Sequence, residues 1–181
     1  MPTYPWYIKL LKHDNSIQQG DFVSECPVVI PPKNLSEIDQ EDSIEISIET
    51  FDVIVISQSC DIEQNNLDVI LVCSYYTFDH LCEKLNYNSI SKKKGLFNDI
   101  KNGRRLSFHM LNKSEEIGIN EHLIIDFRNI FGINTDTLRN QIITNTHPRI
   151  RLAPPYREHL SQAFAKFFMR VGLPMDIQNP F

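Results

Sequence analysis

The feature that most constrains this chain is a pair of apolar runs, Val53, Ile54, Val55, Ile56 and Val69, Ile70, Leu71, Val72. Short unbroken runs, rich in β-branched residues and bounded by polar ones, predict strands buried on both faces. Ser57, Gln58, Ser59, Cys60 and Asp61 follow the first run and bring hydroxyls, an amide, a thiol and a carboxylate to one rim. Gln64, Asn65 and Asn66 lead towards the second run over a length that suits a hairpin.

The flanking chain reads as strands first and helices later. Gly20 and Asp21 form a turn entering a strand at Phe22, with the strand region spanning 20–30. Pro27, Pro31 and Pro32 mark it as an edge strand or a strand ending there, because proline removes a ladder donor. Residues 33–42 are a polar surface loop. In 43–50, Ile44, Ile46 and Ile48 alternate with Ser43, Glu45, Ser47 and Glu49, the pattern of a half-exposed antiparallel strand. It either forms a hairpin with the run at Val53 or continues into it through a bend at Phe51 and Asp52. Residues 8–12 predict a short strand, and the aromatic, proline-containing segment 1–7, with Trp6, an anchor on the core.

Thr77 is a candidate N-cap for a helix to Leu85, with Phe78, Leu81, Cys82 and Leu85 as its apolar stripe. Residues 86–102 are a polar insertion with a second helix over 95–101. Strands are expected at 105–111 and 122–127, and Asn134, Thr135 and Asp136 cap a short helix to about residue 142. The last helix starts at Pro155 and carries Leu160, Phe164, Phe167, Phe168 and Val171 on one face, with Gly172 and Pro174 as its stop. The four aromatic and aliphatic residues from Leu160 to Phe168 on that face are expected to be buried.

Together these elements predict an α+β fold: a bent, mostly antiparallel sheet or a small SH3-like barrel with a C-terminal helix packed on it. The length fits one domain over 1–181, with a barrel core at about 8–133, a helical insertion at about 77–103 and the last helix at about 155–171. A net charge of −5 counts against gripping duplex nucleic acid over a broad surface, though a local basic groove is compatible with it. No stretch approaches the roughly 18 apolar residues that a membrane helix needs, so no membrane partner is expected. The first residues lack the pattern of a secretory leader, and the four cysteines have no framework spacing. Reduced thiols in a cytoplasm are the expectation.

The order Gly20, Asp21, Phe22, Val23, then Pro27, Val28, Val29, then the first apolar run, a polar tip and the second run resembles PemK/MazF-like small β-barrels of bacteria. In that family a Gly-Asp-Ile-Val strand precedes an Arg-Pro-Val-Val-Val-Ile strand and a strand leading to Pro-Leu-Thr. The strand at 122–127 followed by the Thr135 helix start is similar to the family's close. The likeness spans residues 20–138 with insertions. It implies a barrel and an RNA-directed activity. The family's Arg-Pro, whose arginine serves RNA cleavage, is absent, with Cys26-Pro27 or Phe51-Asp52 nearby instead, and Ser74 or Thr77 could be its later threonine or serine, though neither sits in a matching motif. The resemblance therefore implies the architecture more than a ribonuclease.

Cys60, Asp61 and His109 are the catalytic candidates: a thiolate nucleophile needs a base nearby, usually histidine, and His109 and His122 lie on later strands that could approach it. The plainer alternative makes Cys60 a small hydrophobe and Asp61 a turn cap. Cys26, Cys60, Asp61 and His109 could form a tetrahedral zinc site, but their spacings are long and irregular, so no metal or cofactor is expected. Ser57, Gln58, Ser59, Arg105, Arg149 and Arg151 are the binding candidates. Arg149 and Arg151 share one face of an extended segment, and Lys92, Lys93, Lys94, Arg104 and Arg105 add further cations. Asp61 is expected to take hydrogen bonds from backbone N–H groups or from Arg105, Arg149 or Arg151, since a buried carboxylate needs partners. Two partners follow: RNA, or a protein for which the chain is a non-enzymatic accessory module. Oligomeric state is not legible.

Overall fold

Val53, Ile54 and Val55 have no exposed surface, and they form the inner end of one strand. The computed structural model describes residues 4–33, 46–145 and 148–169. Its strands are β1 (Tyr7–Lys9), β2 (Phe22–Ile30), β3 (Ser47–Val55), β4 (Val69–Thr77), β5 (Phe108–Leu111), β6 (Leu123–Asn134) and β7 (Ile150–Leu152). A five-stranded sheet runs in the order β2-β3-β4-β6-β5, and β1 pairs with β7 in a second sheet. Every one of these pairings is antiparallel. The α+β architecture with a bent antiparallel sheet is the one the sequence predicts. Among the described residues it is an open sheet with β2 and β5 at its edges, not a closed barrel.

β3 is the strand that runs on through Phe51 and Asp52 rather than turning back. Among the described residues its outer half pairs with β2 alone, while Val53, Ile54 and Val55 pair with Ser74, Cys73 and Val72 of β4. The register slips between Val23 and Cys26 in β2, where Glu25 takes φ 52°. A second slip falls between Cys73 and Tyr75 in β4. Such bulges bend a strand and increase its twist. Residues 34–45, including the start of the alternating segment, lie outside the described residues.

The two faces of the sheet bury different clusters. Val53, Val55, Ile70 and Val72 pack with Ile62, Leu138 and Ile142. Ile54, Ile56 and Cys73 pack with Phe22, Phe127, Leu152 and Leu160. Burial on both faces therefore holds for the Val53–Val55 end of β3. In β4 it holds only in part: Val69 and Leu71 are 48% and 41% exposed, because the second cluster reaches Cys73 and stops short of them.

The helices are α1 (Ser59–Glu63), α2 (Phe78–Lys84), α3 (Ile90–Lys101), α4 (Thr135–Thr144) and α5 (Tyr156–Phe168). Thr77 caps α2 through His80 N–H at 3.2 Å, and Asn134 caps α4 through Asp136 N–H at 3.0 Å, both as expected from local chemistry. α3 starts earlier than its apolar spacing suggests, at a Ser89 cap that accepts from Lys92 N–H. The predicted link between the central strands is corrected: α1 stands there, pinned by buried Ile62. α2 and α3 pack Leu81, Cys82, Leu96 and Ile100 against Phe108 and Ile124 in a third cluster. Strand β5 is shorter than predicted, since Arg105 C=O closes a turn with Phe108 N–H.

In α5, Leu160 is fully buried and Phe164 and Phe167 are partly buried against the second cluster. Phe168 departs from expectation at 58% exposure; its ring packs on Phe164 and Phe167 instead of on the sheet. The predicted stop at Gly172 and Pro174 lies outside the described residues. No helix among the described residues is long and apolar enough to cross a membrane.

Candidate functional site

The polar rim after β3 folds into α1, and most of its side chains serve the backbone. Ser57 Oγ accepts from Leu71 N–H at 2.9 Å, and Ser59 Oγ accepts from Gln19 N–H at 3.1 Å. Gln58 occupies the N-cap position of α1 without a side-chain cap bond. Cys60 is exposed and its thiol points at Asp61, with Sγ 3.8 Å from Oδ1. Cys60, Ser59 and Gln58 line a depression of about 450 Å³ whose other wall is Arg157, Ser161 and Gln162 of α5.

The expected partners of Asp61 are elsewhere, which corrects that prediction. Arg105 reaches towards Asp99, with N···O at 4.0 Å. Arg149 and Arg151 both close on Asp21, a carboxylate with no exposed surface. Arg149 Nη2 donates to Asp21 Oδ2 at 2.7 Å, and Arg151 Nη2 donates to the same oxygen at 3.0 Å. Arg151 Nε donates to Oδ1, and Gln18 N–H adds a bond at 3.0 Å. Arg149 also donates to the carbonyls of Asp14 and Ser16. The two arginines do share one face, as strand periodicity predicts, but the face is turned inward: their side chains are 12% and 10% exposed. They are a structural clamp on the turn before β2, not a free phosphate-binding pair.

A second buried carboxylate escaped sequence reasoning. Asp126 is 1% exposed and accepts from Tyr76 Oη at 2.8 Å, from Arg128 Nε and Nη2 at 2.8 and 2.7 Å, and from Asn129 Nδ2 at 3.1 Å. Burial opposes its charge, but the hydrogen bonds and charge of Arg128 and the Tyr76 hydroxyl outweigh that and hold it below the usual carboxylate range.

His109 sits apart from Cys60. It lines a cleft between α3, β5 and α5 that has two lobes sharing Ile100, Lys101 and His109. The larger lobe, about 410 Å³, is walled by Trp6, Phe97, Met110, Asn112 and His122. The smaller, about 250 Å³, is walled by Leu106, Phe108, His159, Gln162 and Lys166. His109 and His122 thus meet in one cavity, as their strands allowed. Cys60 does not join them: it faces the other flank of α5, and only Gln162 touches both depressions. The nucleophile–base pairing is not assembled here. Among the described lining residues of the cleft there is no aspartate or glutamate, against the two lysines Lys101 and Lys166. In a chain of net charge −5, this is a local reversal of sign.

Burial and, less strongly, the neighbouring His159 push His109 down to about 4. The folded chain therefore refuses a proton that the unfolded chain takes near pH 6.5. Stability is full above that value and falls as pH drops from about 6.5 towards 4. Asp126 acts at still lower pH, so the windows separate. The melting temperature should decline between pH 7 and pH 5, and His109→Gln should flatten that decline. A parent protein with a flat profile, or a variant with an unchanged one, contradicts this account.

Compared with models of known protein families and with curated proteins, the chain matches none. No cluster of three or more metal-ligating side chains occurs among the described residues. Cys26 is fully buried, and burial pushes its thiol up to about 11, so it behaves as core. The residues that sequence reasoning missed are Asp21, Asp126, Lys101, His159 and Lys166. Asp21 alone carried a local signal, its place in the Gly-Asp turn before a strand.

Proposed function

We propose that this chain binds single-stranded RNA in the α3–β5–α5 cleft and does not cleave it. The observation that carries the reading is that no carboxylate is among the described lining residues of that cleft, with Lys101, Lys166 and His159 beside Trp6 and Phe97. Cations supply sequence-independent attraction to phosphates, and aromatic walls accept unpaired bases, a combination suited to single strands. The strand order resembling PemK/MazF-like proteins is consistent with RNA. The missing cleavage arginine and the separation of Cys60 from His109 favour binding over catalysis.

The test is fluorescence anisotropy of a labelled single-stranded RNA at several salt concentrations. Affinity should fall with salt, with a log–log slope of about −0.7 per phosphate neutralised. Lys101→Gln combined with Lys166→Gln should weaken binding and flatten the slope. Absence of binding even at low salt overturns the reading. A second reading then stands on a different observation. Val29, Ile46 and Ile48 at the outer end of the β2–β3 pair are 57%, 60% and 65% exposed, an apolar face suited to a protein partner.

A further inference from the structure

We propose that the cleft seats a single nucleotide unit, its base in the Trp6–Phe97 lobe and its phosphate between Lys101 and Lys166. This rests on the RNA reading and names what that site holds.

Four observations converge. The larger lobe, about 410 Å³, falls in the size range of small-ligand sites. It suits one base with its sugar and not a paired duplex. Its walls are aromatic and held in place. Trp6 is stacked on Tyr156 with ring centroids 3.6 Å apart and planes 9° from parallel. Phe97 meets the His122 ring edge-on at 5.2 Å. Third, Asn112 lines this lobe, and a side-chain amide offers both donors and an acceptor. The polar edge of a base matches it, and an alkyl chain does not. Finally, Lys101 belongs to both lobes, and Lys166 and His159 line the smaller one with no opposing carboxylate among the described lining residues. A phosphate on the sugar would enter that lobe from the first. An acidic peptide would satisfy the lysines but would leave the aromatic walls of the larger lobe without a matching group.

The nucleotide could arrive free or as part of a strand, and the only tryptophan, Trp6, lies in the lobe and reports on both. Its fluorescence should change saturably on titration with AMP or UMP and with a short single-stranded RNA. Equal concentrations of inorganic phosphate or of a poly-glutamate peptide should leave it unchanged. Asn112→Leu keeps the side-chain bulk and removes the lining amide. It should weaken mononucleotide binding about tenfold, the size of one hydrogen bond lost, while the salt slope for RNA stays the same. The titration of the unaltered protein stands even where that variant folds poorly. If RNA binds with salt dependence while Trp6 stays silent and Asn112→Leu binds like the parent, the nucleotide pocket is overturned and the RNA reading survives. If AMP or UMP changes the signal and no RNA binds, the pocket is upheld for free nucleotides and the strand reading fails. A response to poly-glutamate equal to that of AMP overturns the pocket.

Discussion

Asp21→Asn should cost about 3–5 kcal/mol, the range for breaking a buried ion pair by removing one partner. The carboxylate is wholly buried and is the shared acceptor for Arg149, Arg151 and Gln18 N–H. The amide is nearly isosteric but carries no charge, and its NH₂ would face guanidinium donors. Two cations that are 12% and 10% exposed would then stay in the interior with only the weaker pull of the Asp14 carboxylate, among the described residues, to offset them. The damage spreads because Arg149 also holds the Asp14 and Ser16 carbonyls, while Leu152 N–H bonds the Gly20 carbonyl and Val55 N–H that of Asp21. Losing the anchor loosens the junction between the two sheets. Against a typical domain stability of about 5–15 kcal/mol, the loss is large. Denaturant titration should show a lower midpoint with an unchanged slope. Adding Arg149→Leu and Arg151→Leu to the variant should recover much of the loss, since an apolar replacement of a buried ionic cluster is often neutral or better. A single variant within about 1 kcal/mol of the parent would mean that the clamp is not holding the turn.

The clamp also marks the limit of what the residues alone disclose. The pairing face of Arg149 and Arg151 follows from period-two geometry and was legible. Their partner was not, because Asp21 lies 128 and 130 positions away and no local rule selects it over Asp61. Both carboxylates follow an apolar or turn segment and look alike in the chain. The difference is tertiary: β1 pairs with β7 and carries the arginines to the start of β2.

The same distinction runs through the fold. Thr77 and Asn134 caps could be read because each bond spans two or three residues. The burial of Val53, Ile54 and Val55 could be read because all three pack, on alternating faces. The equally apolar β4 run misleads at Val69 and Leu71, since an unbroken run does not say whether its second face has a cover. α1 has one buried residue in five, too few for any helical period to show. The cleft draws Trp6, Lys101, His109 and Lys166 from four separate segments, so no spacing could announce it. The rim at Cys60 announced itself because its residues are contiguous, yet Ser57 and Ser59 turn out to hold backbone.

Phe127→Ala should be the most damaging apolar truncation tied to the cleft, at about 3–5 kcal/mol for a large buried ring reduced to a methyl group. Phe127 has no exposed surface. Its ring meets Phe164 at 5.5 Å in an edge-to-face contact and Phe167 at 5.9 Å, so α5 rests on it. His109 lies nearly parallel to it at 6.3 Å and 19°, so the cleft floor rests on it as well. Aromatic contacts of this kind add about 0.5–1.5 kcal/mol each beyond area, and the void left under α5 cannot be filled by Leu160, which is already fully packed. Phe168, 58% exposed on the same helix, supplies the control: its ring packs only on Phe164 and Phe167 among the described rings, so Phe168→Ala should cost about 1–2 kcal/mol, well below Phe127→Ala. Because α5 contributes Lys166, His159 and Gln162 to the cleft, Phe127→Ala should weaken ligand binding at temperatures where the variant remains folded, and Phe168→Ala should not. Denaturation midpoints and Trp6 titrations on the two variants separate support of the cleft from bulk packing. Equal effects from both would show that α5 is not held in place by the ring beneath it.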